Sequence, residues 1–241
     1  MPPGLGSSPD RFDQVEYNTV LFDLDHTLLD TEQAFEISFD ATMRSVGVEH
    51  PPSVRSTFDT INGALWRSVE QGSMNPDQLH QIRFQQFFEA LDIKADPLAA
   101  ASCFAESQID AATLYPGAAQ LIDQTCARSK TAIVTNGISS IQRGVLKTLG
   151  LDHTFDAIVI SGEVGLNKPN PAFFDATFAA LDVTDRSATV MVGDSLTSDI
   201  QGGTNAGIDT IWLNRLNANP GSTRPTHTVD SLEALARLLQ P

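Results

Sequence analysis

Short apolar runs alternate with helical patterns along most of the chain. Five runs are rich in β-branched residues and nearly continuous in apolar character, which is typical of strands buried on both faces. They are Thr19–Phe22, Thr131–Val134, Ala157–Ile160, Thr189–Val192 and Thr210–Leu213. Amphipathic helical patterns lie between and after the later runs, at Pro116–Ser129, Ser140–Leu149, Pro171–Leu181, Asp199–Ala206 and Ser231–Leu239. Because strands that alternate with helices pair in parallel, this order predicts an α/β fold with a doubly wound parallel sheet.

One interval interrupts this alternation. Residues 31–113 contain no convincing strand, and their apolar residues recur at helical spacing, with Pro and Gly at the breaks. We predict four helices there, near Thr31–Val46, Ser53–Glu70, Pro76–Leu91 and Pro97–Ala112. The expected organisation is a core domain of residues 15–30 and 114–241, an inserted all-α domain of residues 31–113, and a flexible lead-in at residues 1–14.

Composition restricts the class of protein. The 241 residues are 41% hydrophobic, enough for a substantial core, and carry a formal net charge of −15, which argues against a nucleic-acid polymer as the partner. Cys103 and Cys126 form no Cys-x-x-Cys pair, which argues against a disulfide framework or a cysteine zinc site, and two free thiols suit a reducing compartment. The sequence has no signal-peptide pattern and no apolar stretch near the ~20 residues of a membrane helix. We therefore expect a cytoplasmic protein without a membrane partner.

Acidic residues follow two of the predicted strands. Asp23 and Asp25 come at the end of the first strand, and Asp194 follows the fourth strand, with Asp199 five residues later. Since ligands bind beyond the carboxyl ends of parallel strands, these carboxylates are expected to converge at one edge of the sheet. Converging carboxylates repel each other unless a cation joins them, and an oxygen-rich site of this kind suits Mg²⁺. The alternative is that these aspartates are only helix caps and turn residues.

Two further segments carry groups that suit a phosphoryl ligand. The second strand leads into Thr135-Asn136-Gly137, where a hydroxyl and backbone N–H groups can hold phosphoryl oxygens. Lys168 lies in a segment whose prolines at 169 and 171 fix the backbone. Its ammonium group can neutralise charge on a phosphoryl group in transit. The alternatives are an ordinary strand-to-helix turn and a solvated loop lysine.

Four motifs, in this order, resemble those of the haloacid dehalogenase-like (HAD) hydrolases. They are Asp-Leu-Asp-His-Thr-Leu-Leu-Asp from residue 23, Thr-Asn-Gly from 135, Lys-Pro-Asn-Pro from 168 and Gly-Asp-Ser-x-x-x-Asp from 193. The resemblance covers about residues 18–239, and the helical insertion resembles the type 1 cap of that family. Residues 135–183 and 191–214 are most similar to the pyrimidine 5′-nucleotidase branch. The resemblance implies a Rossmann-like core and an enzyme, a phosphoric monoester hydrolase.

The same resemblance implies roles for the acidic residues. Asp23 would be the nucleophile that attacks phosphorus and becomes an aspartyl phosphate. Asp25 would protonate the leaving oxygen and then activate the water that breaks this intermediate. Mg²⁺ would be held by the Asp23 carboxylate, the Asp25 backbone carbonyl and the Asp194 carboxylate, and Asp199 would orient a metal-bound water.

The resemblance also indicates the phosphate contacts and the type of reaction. Thr135, Asn136 and Lys168 would hold the transferring phosphoryl oxygens. Transport ATPases of the superfamily have Thr at position 25, and the halide-cleaving members lack this Asp. Asp25 therefore favours a phosphatase, with a phosphomutase as an alternative. His26 is a further candidate for the mouth of the site, although we predict a simple turn histidine there.

In this family the inserted segment is expected to set the substrate. Its 5 basic and 12 acidic residues give a net charge of −7, which suits a small phosphorylated metabolite better than a polyanion. Trp66 and the phenylalanines of the insertion could stack on a nucleobase, but their helical spacing predicts a bundle core. We predict a pyrimidine nucleoside 5′-monophosphate such as UMP or dTMP as substrate. The alternatives are phosphoglycolate, a sugar phosphate or acylneuraminate phosphate, a phosphomutase, or a regulatory or binding module without catalysis. The sequence does not determine the oligomeric state.

Overall fold

A six-stranded parallel sheet forms the centre of the structure. The computed structural model describes residues 16–49 and 51–240, so the predicted lead-in at residues 1–14 lies outside the described residues. The strand order is β3-β2-β1-β4-β5-β6, and all neighbouring strands are parallel. The strands are β1 (Thr19–Phe22), β2 (Lys130–Thr135), β3 (Ala157–Ile160), β4 (Thr189–Gly193), β5 (Asp209–Leu213) and β6 (His227–Val229). The predicted α/β fold with a doubly wound parallel sheet is confirmed.

Strand β1 explains why the apolar runs in the sequence are continuous. Successive side chains of a strand point to opposite faces of the sheet. Val20 and Phe22 accordingly pack in the larger apolar cluster, and Leu21 packs in a second cluster on the other face. Both faces are covered, so every residue of β1 is buried. The edge strand β6 was not predicted because it has three residues and only Val229 of them is buried.

Four helices follow β1. They are α1 (Thr31–Ser45), α2 (Pro52–Glu70), α3 (Pro76–Leu91) and α4 (Pro97–Asp110). A proline occupies the first turn of α2, α3 and α4, where its missing N–H leaves no intrahelical hydrogen bond unmade. The side chains of Asn75 and Asp96 cap α3 and α4 by accepting hydrogen bonds from backbone N–H groups. The predicted all-α insertion is confirmed.

Phenylalanines form the core of the insertion. Six buried rings pack against each other, with centroids between 5.0 and 6.4 Å apart. They are Phe39, Phe58, Phe84, Phe87, Phe88 and Phe104. Aromatic pairs at such distances add about 0.5–1.5 kcal/mol each to the burial of apolar area. The helical spacing of these residues correctly predicted a bundle core for all six.

The remaining helices cover the faces of the sheet. They are α5 (Ala118–Cys126), α6 (Ser139–Thr148), α7 (Ser161–Val164), α8 (Pro171–Leu181), α9 (Gln201–Asn205) and α10 (Leu232–Leu239). A π-helical turn, Leu196–Ile200, precedes α9, where the sequence predicted one helix from Asp199 to Ala206. The Ser195 side chain accepts a hydrogen bond from Ser198 N and so caps this turn. In the described part of the chain, no helix combines the length and apolar composition that crossing a membrane requires.

A short neck joins the insertion to the sheet. Leu29 and Leu114 form an isolated antiparallel bridge. Next to it, Asp30 N donates to Thr113 O at 2.9 Å. The chain therefore leaves the core and returns to it at one place, just beyond β1. This neck lies at the predicted domain boundaries, and the division into two domains stays a prediction.

The insertion also contacts the core away from the neck. On α3, the Asp77 carboxylate accepts hydrogen bonds from Ser139 N at 2.9 Å and from Ser139 Oγ at 3.1 Å. At the end of α2, Val69 O accepts a hydrogen bond from Asn167 Nδ2 at 2.6 Å. Both contacts join the insertion to segments that follow the carboxyl ends of strands, so α2 and α3 lie over that edge of the sheet.

Candidate active site

A cavity of about 300 Å³ lies between the carboxyl edge of the sheet and the helical insertion. All seven predicted site residues line it: Asp23, Asp25, Thr135, Asn136, Lys168, Asp194 and Asp199. They come from the ends of β1, β2 and β4 and from the segment before α8, since parallel strands bring their carboxyl ends to one edge. The structure therefore brings the predicted site residues together, and their individual roles stay predictions.

Lys168 connects two of the carboxylates. Its Nζ lies 2.7 Å from Asp23 Oδ1, 2.7 Å from Asp199 Oδ1 and 2.7 Å from Val134 O, and its side chain is only 1% exposed. Burial lowers the pKa of Lys168, but the charges of Asp199 and Asp23 outweigh this effect, so the net shift of the pKa is upward. Lys168 is a buried, charged and fully paired lysine rather than a solvated loop residue.

Three carboxylates converge beside this lysine. One oxygen from each of Asp23, Asp194 and Asp199 lies within 4.8 Å of the others. Burial, followed by the charges of Asp23 and Asp199, raises the pKa of Asp194 to about 8. Burial also raises the pKa of Asp199 to about 6 despite the opposing effect of Lys168. Buried carboxylates this close together repel each other, and a divalent cation relieves that repulsion, so the donor set fits a hard metal ion.

Asp25 lies outside this group of three and has its own hydrogen bonds. Its Oδ2 accepts from Gln142 Nε2 at 2.7 Å, and its Oδ1 accepts from Thr31 Oγ1 at 3.0 Å. Gln142 belongs to α6 of the core, whereas Thr31 is the first residue of α1. Sequence reasoning missed Gln142, although a polar residue between Ile141 and Val145 on the apolar face of α6 was a usable signal. Asp25 is therefore held by both the core and the insertion.

The residues after β2 fix the backbone on the other side of the cavity. Thr135 Oγ1 accepts a hydrogen bond from Gly137 N at 2.9 Å. The Asn136 amide pairs with Lys168, because its Oδ1 accepts from Lys168 N and its Nδ2 donates to Lys168 O, both at 2.9 Å. The Lys168–Pro169 peptide bond is cis. The side chain of Asn136 thus holds the lysine segment, which leaves its backbone as the part that can reach a phosphoryl group.

A glycine at the end of β4 makes room for Asp199. A Cβ at Gly193 would lie 2.2 Å from Asp199 Oδ2, a distance that no real structure accommodates without displacement. Asp199 Oδ2 accepts a hydrogen bond from Ser195 N at 3.0 Å, which fixes the carboxylate over the strand end. Ser195 and Ser198 also line the cavity, and sequence reasoning did not single them out.

Helix α2 contributes a wall of the cavity from the insertion. Asn62, Trp66 and Glu70 recur every four residues along this helix, so they share one face, and all three line the cavity together with Phe35 of α1. The predicted packing of Trp66 and Phe35 in an apolar core holds in part. Each packs against an apolar cluster on one side and borders the cavity on the other.

His26 lies at the mouth of the same cavity. It has a left-handed backbone with φ 58°, its side chain is exposed, and its N–H donates to Thr31 Oγ1 at 3.1 Å. The Arg215 guanidinium donates hydrogen bonds to the carbonyl oxygens of His26 and Thr27. These backbone contacts agree with the predicted turn histidine.

Comparison with known proteins identifies the family. Residues 20–213 match the sequence pattern of the haloacid dehalogenase-like hydrolases. This match covers well over half of the 241 residues. The chain belongs to the haloacid dehalogenase-like hydrolases, as the four motifs predicted.

Similar proteins include nucleotidases. The chain is 34% identical to pyrimidine 5′-nucleotidase YjjG of Escherichia coli, with 93% of this chain and 99% of that protein covered. It is 33% identical to pyrimidine 5′-nucleotidase PynA of Streptococcus pneumoniae, with 91% and 93% covered. Among solved structures, the HAD-hydrolase YfnB of Bacillus subtilis, bound to magnesium, has a TM-score of 0.86 at 31% identity and covers 93% of this chain and 99% of its own.

The family and these relatives agree on the class of enzyme. The predicted class, a phosphoric monoester hydrolase, is confirmed by the hydrolase family match together with the two nucleotidases. Solved dehalogenases also share the fold, but at 20–22% identity they bear on the fold alone.

Proposed function

We propose that this protein is a Mg²⁺-dependent phosphatase that hydrolyses pyrimidine nucleoside 5′-monophosphates through an aspartyl phosphate on Asp23. The observation that carries this proposal is the buried Lys168 ammonium group, 2.7 Å from an oxygen of Asp23 at the end of a cavity of about 300 Å³. A nucleophilic carboxylate and a fixed positive charge meet there, where a phosphoryl group would react. Phosphoryl transfer depends mainly on such positioning and charge stabilisation.

Asp23 is suited to the role of nucleophile. One carboxylate oxygen is bound by Lys168, and the other accepts a hydrogen bond from Thr27 Oγ1 at 3.1 Å, so the orientation of the group is set. An oxygen of Asp23 attacks phosphorus, and the ester bond to the leaving oxygen breaks. The phosphoryl group is then bonded to Asp23, and Lys168 compensates charge on its oxygens.

Asp25 is suited to proton transfer. Its carboxyl group donates a proton to the leaving oxygen, which departs as the nucleoside hydroxyl. The resulting carboxylate takes a proton from water, and the hydroxide attacks phosphorus to release inorganic phosphate and restore Asp23. Both oxygens of Asp25 accept hydrogen bonds, from Gln142 and Thr31, whereas the Lys168 ammonium group binds Asp23 and Asp199, so the Asp25 carboxyl group is oriented for this exchange.

Mg²⁺ fits the acidic end of the cavity. The ion would be held by the carboxylates of Asp23 and Asp194 and by the backbone carbonyl of Asp25, and Asp199 would contribute by orienting water. When bound, the ion supplies positive charge that offsets the negative charge of the phosphoryl group. The upward pKa shift of Asp194 supports this assignment, because a cation relieves the repulsion that causes part of the shift.

The cavity wall and the relatives support a nucleotide as substrate. Trp66 and Phe35, which the insertion contributes to the cavity wall, offer aromatic surface to a flat base. Two relatives with more than 90% coverage of this chain are named as pyrimidine 5′-nucleotidases. We retain a cytoplasmic location as part of the proposal, supported by the free cysteines Cys103 and Cys126.

A substrate panel tests the proposal. The enzyme is assayed for phosphate release with and without Mg²⁺ on UMP, dTMP, phosphoglycolate, a hexose phosphate and an acylneuraminate phosphate. We expect kcat/KM for UMP or dTMP to exceed that for the other esters and to require the ion. Equal or faster turnover of phosphoglycolate or a sugar phosphate would contradict the proposed substrate. Isomerisation of a sugar phosphate that needs an activating bisphosphate would instead indicate a phosphomutase.

A further inference from the structure

Asn62 lies on α2 one helical turn before Trp66 and borders the cavity. We propose that Asn62 selects the leaving group by donating a hydrogen bond from Nδ2 to a carbonyl oxygen of the nucleobase, in an orientation fixed by the buried Arg83. This inference rests on the proposed function and names the chemical feature of the substrate that the insertion recognises.

Arg83 is an unusual residue for the core of a helical bundle. It is 2% exposed, and its guanidinium carbon lies 4.3 Å from the centroid of the Phe104 ring. Its Nη1 donates to Asn62 Oδ1 at 3.3 Å, whereas Nε and Nη2 have no hydrogen-bond partner in the described part of the chain. Burial lowers the pKa of Arg83 to about 9, which leaves it charged at neutral pH. Burying an apolar residue of similar volume would cost less free energy, so stability alone does not account for an arginine here.

The contact with Arg83 decides which end of the Asn62 amide faces the cavity. A guanidinium group has donors and no acceptor, so only Oδ1 of Asn62 can face it. The Nδ2 group then points away from Arg83, and no hydrogen bond from it reaches any residue that the structure describes. Arg83 therefore converts an amide that could be donor or acceptor into a fixed donor.

A fixed donor beside an aromatic side chain matches a particular class of ligand. Uracil, thymine and cytosine all carry a carbonyl oxygen on a flat ring, whereas adenine has none and a sugar phosphate has no ring base. A site built to hydrogen-bond one polar group discriminates against ligands that lack it, because the site's own polar group is then left unpaired. Asn62 should therefore favour bases that carry an oxo group.

The experiment compares UMP with ribose 5-phosphate, which shares the phosphate and a ribose ring but has no base. For N62A we expect kcat/KM on UMP to fall about five- to tenfold, with ribose 5-phosphate unchanged. R83M keeps the approximate volume of the side chain and removes the donor that orients Asn62. We expect it to lose the same preference for UMP over ribose 5-phosphate, although residue 83 does not contact the substrate. R67M makes the identical change at an exposed position of α2 and should behave as wild type. Thermal unfolding of each variant reports on folding.

The outcomes separate the inference from the proposed function. If kcat/KM of N62A falls equally on both substrates, or falls on neither, the proposed role of Asn62 is wrong. An R83M variant that is folded and retains full preference for UMP overturns the role of Arg83. If the wild-type enzyme itself prefers ribose 5-phosphate to UMP, the proposed function fails, whatever the variants do.

An independent observation, on helix α6 of the core, carries a second inference. We infer that Gln142 is a positioning residue for Asp25 and that position 137 is glycine so that the Gln142 side chain can pass. Gln142 is 3% exposed, and its Nε2 lies 2.7 Å from Asp25 Oδ2. A Cβ at Gly137 would lie 2.2 Å from Gln142 Nε2 and 2.5 Å from its Cδ. The amide therefore crosses directly over the Gly137 backbone to reach Asp25.

The other end of this amide shows what the arrangement is for. Gln142 Oε1 is buried and has no hydrogen-bond partner in the described ranges. An unpaired buried acceptor is unfavourable. Among the described residues, the one hydrogen bond of this side chain is the one that Nε2 donates to Asp25. Fixing one carboxylate rotamer is what a proton donor to the leaving oxygen requires.

Leaving groups that differ in basicity test this role. An alkoxide such as the 5′-oxygen of uridine needs a proton as it departs, whereas p-nitrophenolate departs without one. For Q142A we expect kcat/KM to fall at least about tenfold on UMP, with KM little changed, and to remain near wild type on p-nitrophenyl phosphate. G137A should show the same pattern because its methyl group displaces Gln142. The double variant should be no worse than either single variant.

Two results would overturn the positioning role. Equal losses on both leaving groups would mean that Gln142 supports the site only structurally. Additive losses in the double variant would mean that Gly137 and Gln142 act separately. Both tests compare each variant with wild type by the ratio of their kcat/KM values. Their outcome therefore does not depend on whether a nucleotide is the best substrate.

Discussion

The Lys168 ammonium group and the Asp199 carboxylate form an ion pair 2.7 Å long in which each side chain is only 1% exposed. Two buried charges are stable together because each satisfies the other, and either one alone would be strongly unfavourable. The same ammonium group binds Asp23, so one lysine links the residue that follows β1 to the π-helical turn that follows β4. The pair both joins two segments of the core and belongs to the candidate active site.

Replacement of this lysine should affect folding and activity together. K168M leaves the carboxylates of Asp23 and Asp199 without their cation, and breaking a buried pair in this way typically costs about 3–5 kcal/mol of stability. We expect a loss of that size in urea unfolding without Mg²⁺ and loss of most phosphate release. K147M removes an exposed lysine of α6 and is the matched control. A K168M enzyme of normal stability would contradict the description of a buried, paired charge.

Replacement of the proposed nucleophile should abolish activity without unfolding the protein. D23N preserves the volume of the side chain but removes the negative charge that attacks phosphorus. Phosphate release from UMP should fall to background, and Mg²⁺ should bind more weakly because one anionic ligand is lost. D123N on the exposed side of α5 provides the control for the substitution itself. Unchanged release from D23N would defeat the nucleophile assignment.

The stability of the metal-free protein should depend on pH in a specific direction. Burial and then the charge of Asp23 raise the pKa of Asp194 from 3.8 to about 8. Between these values the folded state binds more protons than the unfolded state, so the free energy of unfolding falls as pH rises. The stabilising contribution is fully present below 3.8 and is lost as pH rises through about 8.

Added Mg²⁺ should reverse this loss, because the ion stabilises the ionised carboxylates. The difference in Tm between samples with Mg²⁺ and with a chelator should therefore grow from pH 6 to pH 8, the interval in which the folded-state pKa values of Asp199 and Asp194 lie. Differential scanning calorimetry measures this difference, and D194N should show a smaller growth, since only Asp199 of the two groups remains. A difference that stays constant with pH would exclude proton displacement from this group.

A single methyl group at Gly193 should disrupt the acidic end of the cavity. In G193A the new Cβ would lie 2.2 Å from Asp199 Oδ2 and 2.5 Å from its Cβ, so Asp199 must move. We expect large losses in Mg²⁺ binding and in kcat. G63A is the matched control, since its Cβ would have only an ordinary contact of 3.5 Å with Arg67 Nη1. In a helix that substitution should stabilise by about 0.5–1 kcal/mol. Normal activity in G193A would show that Asp199 has room to shift.

The sequence predicted most of the sheet because β1, β2 and β4 are buried on both faces and therefore leave nearly unbroken apolar runs. It did not reveal β6, whose three residues are too short for any periodicity. The π-helical turn before α9 was also missed, since it is defined by a backbone hydrogen bond from Ile200 N to Ser195 O, five residues back, and hydrophobic spacing does not encode such a bond.

The candidate site, like the fold, was predicted from the sequence only in part. Residues that follow strand ends, such as Asp23 and Asp194, could be grouped from the sequence because parallel strands share one carboxyl edge. The sequence named Trp66 only as a residue that could stack on a base, and a polar residue on the apolar face of α6 was the only signal for Gln142, because each lies on a helix that also packs against the core. Which part of that face borders a cavity depends on how the insertion packs on the sheet, and a one-dimensional pattern does not contain that relation.

The neck at Leu29 and Leu114 has a consequence for how such enzymes can diversify. Both ends of the 83-residue insertion, residues 31–113, meet at one antiparallel bridge. A helical bundle of different size or shape can therefore be joined there without altering the register of any strand. Recombination at this point would exchange the wall that carries Asn62 while the end of β1 with Asp23 stays intact. The proposed catalytic residues of the core and the proposed substrate-contacting residues of the insertion could therefore change independently.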